Sequence, residues 1–79
     1  MYYAYILLLS NKQYYIGSTG DLKKRLAEHN RGGVSATKNK RPFTLVFYAA
    51  FTTQKLALDF EKYLKSSSGF AFRNKHFVE

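Results

Sequence analysis

Residues 3–30 read YAYILLLSNKQYYIGSTGDLKKRLAEHN and contain the pattern that decides the fold. A tyrosine-rich apolar run is followed by a polar break at 10–13, by a second β-prone segment that ends at Gly17, and by a basic segment with helical spacing. The pattern predicts a strand, a turn, a strand and a helix. These elements carry four candidate site residues, namely Tyr5, Tyr15, Arg25 and His29.

The first run, 2–9, is aromatic or aliphatic at every position, so both alternating faces of a strand would be apolar. A strand of this kind is typical of the centre of a sheet that is covered on both faces. We therefore expect it to be the central strand, with the segment 14–17 as its partner.

The turn between these strands decides whether Tyr5 and Tyr15 meet. They share a face only if the numbers of any two residues that face each other across the two strands sum to an even number, because side chains alternate along a strand. A three- or five-residue loop centred on Lys12 gives that parity, whereas a two-residue loop at Asn11-Lys12 puts the tyrosines on opposite faces. The sequence leaves both arrangements open.

The helix is expected to begin at Asp21, an acidic residue suited to a helix N-terminus. Leu22, Arg25, Leu26 and His29 follow at i, i+3, i+4 and i+7 and form one stripe. A charged arginine and a histidine on a stripe with two leucines are expected at the edge of the buried face, where they can reach a groove beside the sheet.

Residues 31–42 have no apolar periodicity and contain two glycines and several basic residues. Long loops of this kind are often functional, and a flexible basic loop suits phosphate contacts. The alternative is a plain disordered connector.

The segment 43–51 predicts a third strand, again apolar on both faces and therefore expected to be buried. Thr52 or Thr53 is expected to cap a second helix that runs to about Ser66. Its apolar stripe consists of Ala57, Phe60 and Leu64.

Glu61 lies at the edge of that stripe, adjacent to Ala57 and Leu64 in the helical projection. Asp59 lies roughly 200° around the helix from Glu61 and should face solvent. We assign Tyr14, Tyr63 and the phenylalanines to the core. Gly69 is a candidate helix C-cap, and a short terminal helical turn is expected beyond it.

The 79 residues predict a single domain, 1–79, of α+β class with the order β-β-α-β-α. There is no cysteine, so disulfides and thiolate metal sites are excluded, which fits a cytoplasmic protein. The longest apolar run is about eight residues, far short of the roughly 20 that a spanning helix needs, and it lacks the basic flank of a signal peptide. We expect no membrane partner.

Thirteen lysines and arginines against five acidic residues give a net charge of +8. This charge favours a polyanionic partner, although it can also serve solubility alone. We expect DNA as the partner, with RNA not distinguished from it. The candidate DNA contacts are basic residues and one asparagine, all apart from the four candidate site residues: Lys23, Lys24, Arg31, Lys38, Lys40, Arg41, Arg73, Asn74 and Lys75.

The motif Tyr15-Ile16-Gly17, ten residues after Tyr5, is followed by Asp-Leu-x-x-Arg-Leu-x-x-His-Asn and later by Glu-x-x-Leu-Lys. In order and spacing these motifs resemble the GIY-YIG nucleases over essentially the whole chain. The resemblance is closest to the small stand-alone bacterial members, which are similar to the nuclease domain of the excision-repair subunit UvrC. Tyr3-Ala4 stands where the family has Gly-Ile, and Ser18 stands where some members have a lysine.

The resemblance implies a three-stranded antiparallel sheet flanked by helices, and an endonuclease that cleaves DNA with a single divalent ion, Mg²⁺ or Mn²⁺. It also implies roles for particular residues. Tyr5 and Tyr15 match the tyrosines of the two half-motifs, Arg25 matches the helix arginine, Glu61 the metal-binding glutamate, and His29 a position that holds tyrosine or histidine.

Phosphodiester hydrolysis needs these residue types. A carboxylate can hold Mg²⁺ that keeps most of its waters, and an arginine fork can neutralise the non-bridging oxygens. Tyrosine is a poor base at its usual pKa of about 10, so it needs a nearby cation or a metal-bound water. Tyr15 is the first choice to orient or deprotonate the water, and Tyr5 and His29 remain candidates.

Each residue also has a plain structural interpretation. The tyrosines can be core residues, His29 can satisfy a helix end, Arg25 can pair with Asp21, and Glu61 can pair with Lys65. The chief functional alternative is a non-catalytic nucleic-acid-binding module, and a third is a protein-interaction domain. With one short domain, we expect cleavage that is structure-selective or weakly sequence-specific, in DNA repair or processing, or a protein partner that supplies specificity.

Overall fold

The computed structural model describes residues 1–66 of the chain. Its elements, in chain order, are β1 Tyr2–Leu8, β2 Tyr14–Thr19, α1 Leu22–Asn30, a short 3-10 turn Lys38–Lys40, β3 Thr44–Phe51 and α2 Gln54–Lys65. The predicted α+β class and the three-stranded antiparallel sheet flanked by helices are confirmed. The predicted terminal turn and the Gly69 cap lie outside the described residues.

The sheet has the order β2-β1-β3, so β1 is central as expected. Four consecutive residues of β1, from Ala4 to Leu7, are buried because helices cover the sheet on both faces. The expectation that β3 is buried is wrong. It is an edge strand without a fully buried residue, and Tyr48 is 54% exposed. The apolar residues of this segment show that both faces of the strand are apolar, but they do not show how far the helices extend over an edge strand.

The β1–β2 hairpin pairs Tyr5 with Gly17 and Leu7 with Tyr15, so the paired numbers sum to 22 and the parity is even. The loop is centred on Asn11, one residue before the centre considered for a three- or five-residue loop. The backbone of Lys12 adopts a φ of 69°, and its N–H donates to the carbonyl of Leu9 at 3.0 Å. A left-handed residue at the end of a three-residue loop is a common way to close a hairpin. This turn puts Tyr5 and Tyr15 on one face.

Helix α1 packs on that face, where its residues Leu22 and Leu26 contact a cluster formed by Tyr5, Leu7 and Leu9. Asp21 is the N-cap, as predicted, and its carboxylate accepts the backbone N–H of Lys24 at 3.0 Å. An acidic oxygen there satisfies one of the N–H groups that the helix itself cannot pair.

Helix α2 packs on the opposite face, where Leu64 and Phe60 contact Ile6 and Ile16. Thr53 is its N-cap, one of the two predicted alternatives. The assignment of Tyr63 to the core is wrong, because its side chain lies at the margin of the apolar stripe and is 41% exposed while stacking on Phe60.

The loop 31–42 contains a 3-10 turn and is hydrogen-bonded to neighbouring elements, so it is not a structureless connector. The N–H of Gly33 donates to the carbonyl of Glu28 at 2.8 Å, and the N–H of Ser10 donates to that of Lys40 at 3.0 Å. Arg41 donates from Nε to Lys38 and from Nη1 to the last residue of α1, Asn30. These bonds fold the loop back against α1 and the hairpin.

Between residues 1 and 66, neither helix is long and apolar enough to cross a bilayer.

Candidate active site

Tyr5 lies at the centre of the face that α1 covers, and it is fully buried. Its hydroxyl is 2.8 Å from Nε2 of His29, and its ring centroid is 6.3 Å from that of Tyr15. The ring of His29 lies edge-on to both, 5.7 Å from Tyr5 and 5.0 Å from Tyr15. The even parity of the hairpin therefore assembles the two tyrosines and the histidine into one aromatic cluster.

His29 is fully buried, so the expectation that it lies at the edge of the buried face is wrong. The other ring nitrogen, Nδ1, is 2.8 Å from Oγ1 of Thr37, which is also fully buried. The Thr37 hydroxyl in turn lies 3.3 Å from the carbonyl of Val34. The helical stripe showed which way His29 points, whereas the loop 31–42 that covers it has no pattern from which burial could be predicted.

Burial lowers the pKa of His29 below its usual value of 6.5, and the positive charge of Arg25 lowers it further. Glu28 opposes this shift only in part. The imidazole is therefore neutral at pH 7, with one protonated and one unprotonated nitrogen.

Arg25 lies at the edge of the cluster, with its side chain 33% exposed. The hydroxyls of Tyr5 and Tyr15 both act on its guanidinium and raise its pKa above the usual value, with Tyr5 the larger influence. The carboxylate nearest to it is that of Glu28, at 3.9 Å, so the alternative pairing with Asp21 is wrong. Arg25 thus combines solvent access with contacts to both tyrosines, as an anion-binding arginine requires.

Burial raises the pKa of the Tyr5 hydroxyl above its ordinary value of 10.0. The hydrogen bond from Arg25 acts in the opposite direction, while nearby Tyr15 and Glu61 raise the pKa further. Tyr5 is therefore a protonated hydroxyl at neutral pH.

Glu61 projects from α2, on the other face of the sheet from the cluster. It lies near Ser18 of edge strand β2, and its Oε2 accepts from Nζ of Lys65 at 2.7 Å. Burial acts to raise the pKa of Glu61, but the bonds from Lys65 and Ser18 outweigh it and the pKa is lowered. A carboxylate that is only 19% exposed is thereby kept ionised.

A groove of about 350 Å³ runs along the outer edge of β2. It is lined by Tyr14, Tyr15, Ile16 and Lys65. Tyr15 belongs to the cluster on one face, and Lys65 holds Glu61 on the other, so this groove borders both parts of the candidate site.

Asp59, as predicted, faces solvent and pairs with Lys55 at 2.8 Å on the exposed side of α2. Among residues 1–66, no group of three or more histidine or acidic side chains could enclose a metal ion. Glu61 is accordingly a single-carboxylate ligand candidate.

The predicted nucleic-acid contacts fall into three groups. Lys23 and Lys24 are exposed on α1, and the loop 31–42 carries exposed or partly exposed basic residues at Arg31, Lys38, Lys40 and Arg41. Arg41 is also structural, because it donates to two backbone carbonyls. Arg73, Asn74 and Lys75 lie outside the described residues.

Comparison with known proteins identifies the family of this chain. The family described as the GIY-YIG catalytic domain matches residues 1–75. The chain belongs to the GIY-YIG family. The resemblance inferred from the two tyrosines, Arg25 and Glu61 is thereby confirmed.

Individual GIY-YIG relatives carry names that state no activity. Over 64 residues the chain is 41% identical to a UPF0213 protein of Streptococcus pyogenes serotype M5 (strain Manfredo), covering 80% of this chain and 70% of that protein. A UPF0213 protein of serotype M3 (strain SSI-1) matches with the same identity and coverage. The solution NMR structure of a UPF0213 protein from Bacillus halodurans has a TM-score of 0.57 and 30% identity, covering 99% of this chain and 89% of that one.

Two residues near the candidate site were not assigned a role from the sequence. Thr37 contacts His29 from a loop without periodicity, and Ser18 lies near Glu61 at the position where some family members have a lysine. Ser18 follows the Tyr-Ile-Gly motif directly, and this position was the one available hint to its role. Thr37 could not have been found without the fold of the loop.

Proposed function

We propose that this protein is a metal-dependent endonuclease that hydrolyses DNA phosphodiester bonds with structure-selective or weak sequence specificity, in DNA repair or processing in the cytoplasm. Membership of the GIY-YIG nuclease family supports the reaction class. The proposal is carried by the interaction of Arg25 with both Tyr5 and Tyr15, beside a groove lined by Tyr15 and by Lys65, the partner of Glu61.

Arg25 is suited to neutralise the scissile phosphate. Its planar fork matches two non-bridging oxygens, and it remains accessible to a strand in the groove. Such a donor contributes about 10²–10³ in rate when it is aimed at the charge that develops in the transition state.

Tyr15 is suited to orient the attacking water, because it is partly exposed and borders the groove. Tyr5 is fully buried and hydrogen-bonded to His29, so it supports the cluster from beneath. Of the three candidates for the general base, Tyr15 therefore remains the first choice.

The donor set fits one divalent ion that keeps most of its waters. Mg²⁺ is commonly bound through one or two carboxylates together with substrate phosphates, and Glu61 is an ionised, partly buried carboxylate beside the Ser18 hydroxyl. Glu61 would hold the ion, Mg²⁺ or Mn²⁺, which when bound supplies positive charge to the phosphate oxygens. For Glu61 to hold the ion, Lys65 must either release Oε2 or stay bound to Oε2 and leave the other carboxylate oxygen to the ion.

The test is cleavage of nicked, flapped, branched and plain duplex DNA, and of the matching RNA, with and without Mg²⁺ or Mn²⁺. Wild type should cut at least one DNA structure only when metal is present, and Glu61→Ala should abolish cutting. Asp59→Ala is the matched control, because Asp59 forms a similar ion pair four residues from a lysine on the exposed side of the same helix. It should cut like wild type.

The alternative, a non-catalytic nucleic-acid-binding module, gives a different result. Wild type and Glu61→Ala would then bind DNA equally and neither would cut it. Binding by either kind of protein weakens with salt, so salt dependence does not separate the two.

A further inference from the structure

Three fully buried side chains form a continuous hydrogen-bonded chain beneath the candidate site, and Arg25 lies at its Tyr5 end. The Tyr5 hydroxyl, whose pKa burial raises and the nearby Arg25 acts to lower, is 2.8 Å from Nε2 of His29, while Nδ1 of His29 is 2.8 Å from Oγ1 of Thr37. The exposed fractions of Tyr5, His29 and Thr37 are all 0%. Buried polar groups of this kind need a partner for every proton, so the direction of each bond can be worked out.

One end of the chain is fixed by Arg25. A guanidinium has donors and no acceptor, so beside Tyr5 it can use only the lone pairs of the oxygen, and the Tyr5 proton must be donated elsewhere. Nε2 of His29, at 2.8 Å, is the acceptor that the cluster provides. Nε2 must then be the unprotonated nitrogen of the neutral ring.

The other end is fixed by the backbone. The carbonyl of Val34 can only accept, and the Thr37 hydroxyl lies 3.3 Å from it. When Thr37 donates its single proton there, Oγ1 is left to accept from His29, so Nδ1 carries the ring proton. Both ends therefore require the same tautomer of His29.

We propose that Thr37 is a positioning residue for the site. By accepting from Nδ1–H, its hydroxyl fixes the His29 tautomer whose Nε2 receives the Tyr5 proton. The tautomer of a histidine is set by the hydrogen bond that its other nitrogen makes. As a result the Tyr5 oxygen keeps its lone pairs directed to Arg25, and the guanidinium is held between the two tyrosines. This inference extends the proposed nuclease function, but its structural part does not depend on it.

Removal of the hydroxyl predicts a specific change. In Thr37→Val, Nδ1–H would be buried without an acceptor, which is unfavourable. The proton then moves to Nε2, which would donate to Tyr5 instead of accepting from it. The Tyr5 hydroxyl would meet two donors, Arg25 and His29, and lose the acceptor for its own proton.

The experiment is a long-range proton–nitrogen correlation spectrum of the histidine rings at pH 7.5, recorded on wild type, Thr37→Val and Thr37→Ser. The chain has two histidines, and the His76→Gln background leaves His29 as the one observed. Wild type and Thr37→Ser should show the Nδ1-protonated ring, and Thr37→Val should show protonation at Nε2 in part or in full. An Nε2-protonated ring in wild type, or an unchanged tautomer in Thr37→Val, would overturn the proposal.

A kinetic measurement adds a second readout on the DNA structure that wild type cuts. Thr37→Val should lower kcat about 10-fold with little change in KM, as is typical of residues that orient site side chains through hydrogen bonds. Thr37→Ser should restore the wild-type kcat. An unchanged kcat in Thr37→Val would contradict the positioning role. If wild type cuts no DNA, the nuclease proposal fails while the tautomer result still stands. If Thr37→Val does not fold, the spectra of wild type and Thr37→Ser still decide the tautomer of His29.

Discussion

The ring of Tyr5 lies directly on the backbone of Gly17. A Cβ on Gly17 would stand 2.6 Å from the Tyr5 hydroxyl oxygen and 2.8 Å from Cζ, both shorter than real Cβ contacts. Gly17 is paired with Tyr5 across the hairpin, so the final residue of the Tyr-Ile-Gly motif leaves space for the other tyrosine. The two half-motifs are therefore linked by steric fit as well as by the contacts that the rings of both tyrosines make with His29.

Gly17→Ala should therefore lower both stability and activity. Tyr5 cannot move away easily, because it is fully buried and held by His29. We expect a loss of about 1–3 kcal/mol in the free energy of unfolding, the usual cost of overpacking. Denaturant unfolding measures it. Gly20→Ala is the control, because its Cβ would stand 3.7 Å from the nearest atom of Tyr2, an ordinary contact. Equal stability losses in the two variants would disprove the steric argument.

Tyr5→Phe and Tyr15→Phe should separate structural support from chemistry. Tyr5→Phe leaves buried Nε2 of His29 without its donor, so it should cost about 1–3 kcal/mol of unfolding free energy. Tyr15 is partly exposed, so its hydroxyl should contribute less than about 1 kcal/mol to stability. If Tyr15 orients the water, its variant should lose at least about 10²-fold in cleavage rate while remaining as stable as wild type. A stable, fully active Tyr15→Phe would exclude it as the base.

Stability should fall on mild acidification because of His29. Burial lowers its pKa in the folded state below the unfolded value of about 6.5, so the unfolded chain binds the proton first. This stabilising contribution is complete above the unfolded pKa and is lost as the pH falls below it. The slope is at most about 1.4 kcal/mol per pH unit for one proton. Urea unfolding between pH 7.5 and 5 measures the slope, which His29→Gln should flatten. His76→Gln is the comparison, and a His29→Gln slope equal to that of wild type would refute the assignment.

Arg25→Lys should keep the positive charge but not the function. A lysine offers a point charge without the planar fork, so it cannot reach two tyrosine hydroxyls and two phosphate oxygens together. Cleavage should fall by about 10²–10³, with little loss of stability because Arg25 is partly exposed. Lys24→Ala, on the exposed side of the same helix, should weaken binding with little change in kcat. Wild-type rates in Arg25→Lys would show that charge alone suffices.

The sequence determined those features that depend on local periodicity. The apolar run in β1 predicted the central strand, the spacing in α1 put Arg25 and His29 on one stripe, and Glu61 fell at the edge of the stripe of α2. Each follows from the fixed repeat of a helix or strand, which the order of residues records directly.

The tertiary structure decided the features that depend on how distant segments meet. The parity of the hairpin depended on the left-handed backbone of Lys12, a matter of turn geometry that residue pattern alone left open. The complete burial of His29 and its contact with Thr37 depended on the loop 31–42, which folds back through hydrogen bonds without any repeat in its sequence. Glu61 also acquired Ser18 as a partner because α2 crosses the sheet beside β2. The sequence thus indicated the candidate residues that carry a motif or a helical stripe, whereas long-range packing determined their partners and the protonation states of Tyr5, His29 and Glu61.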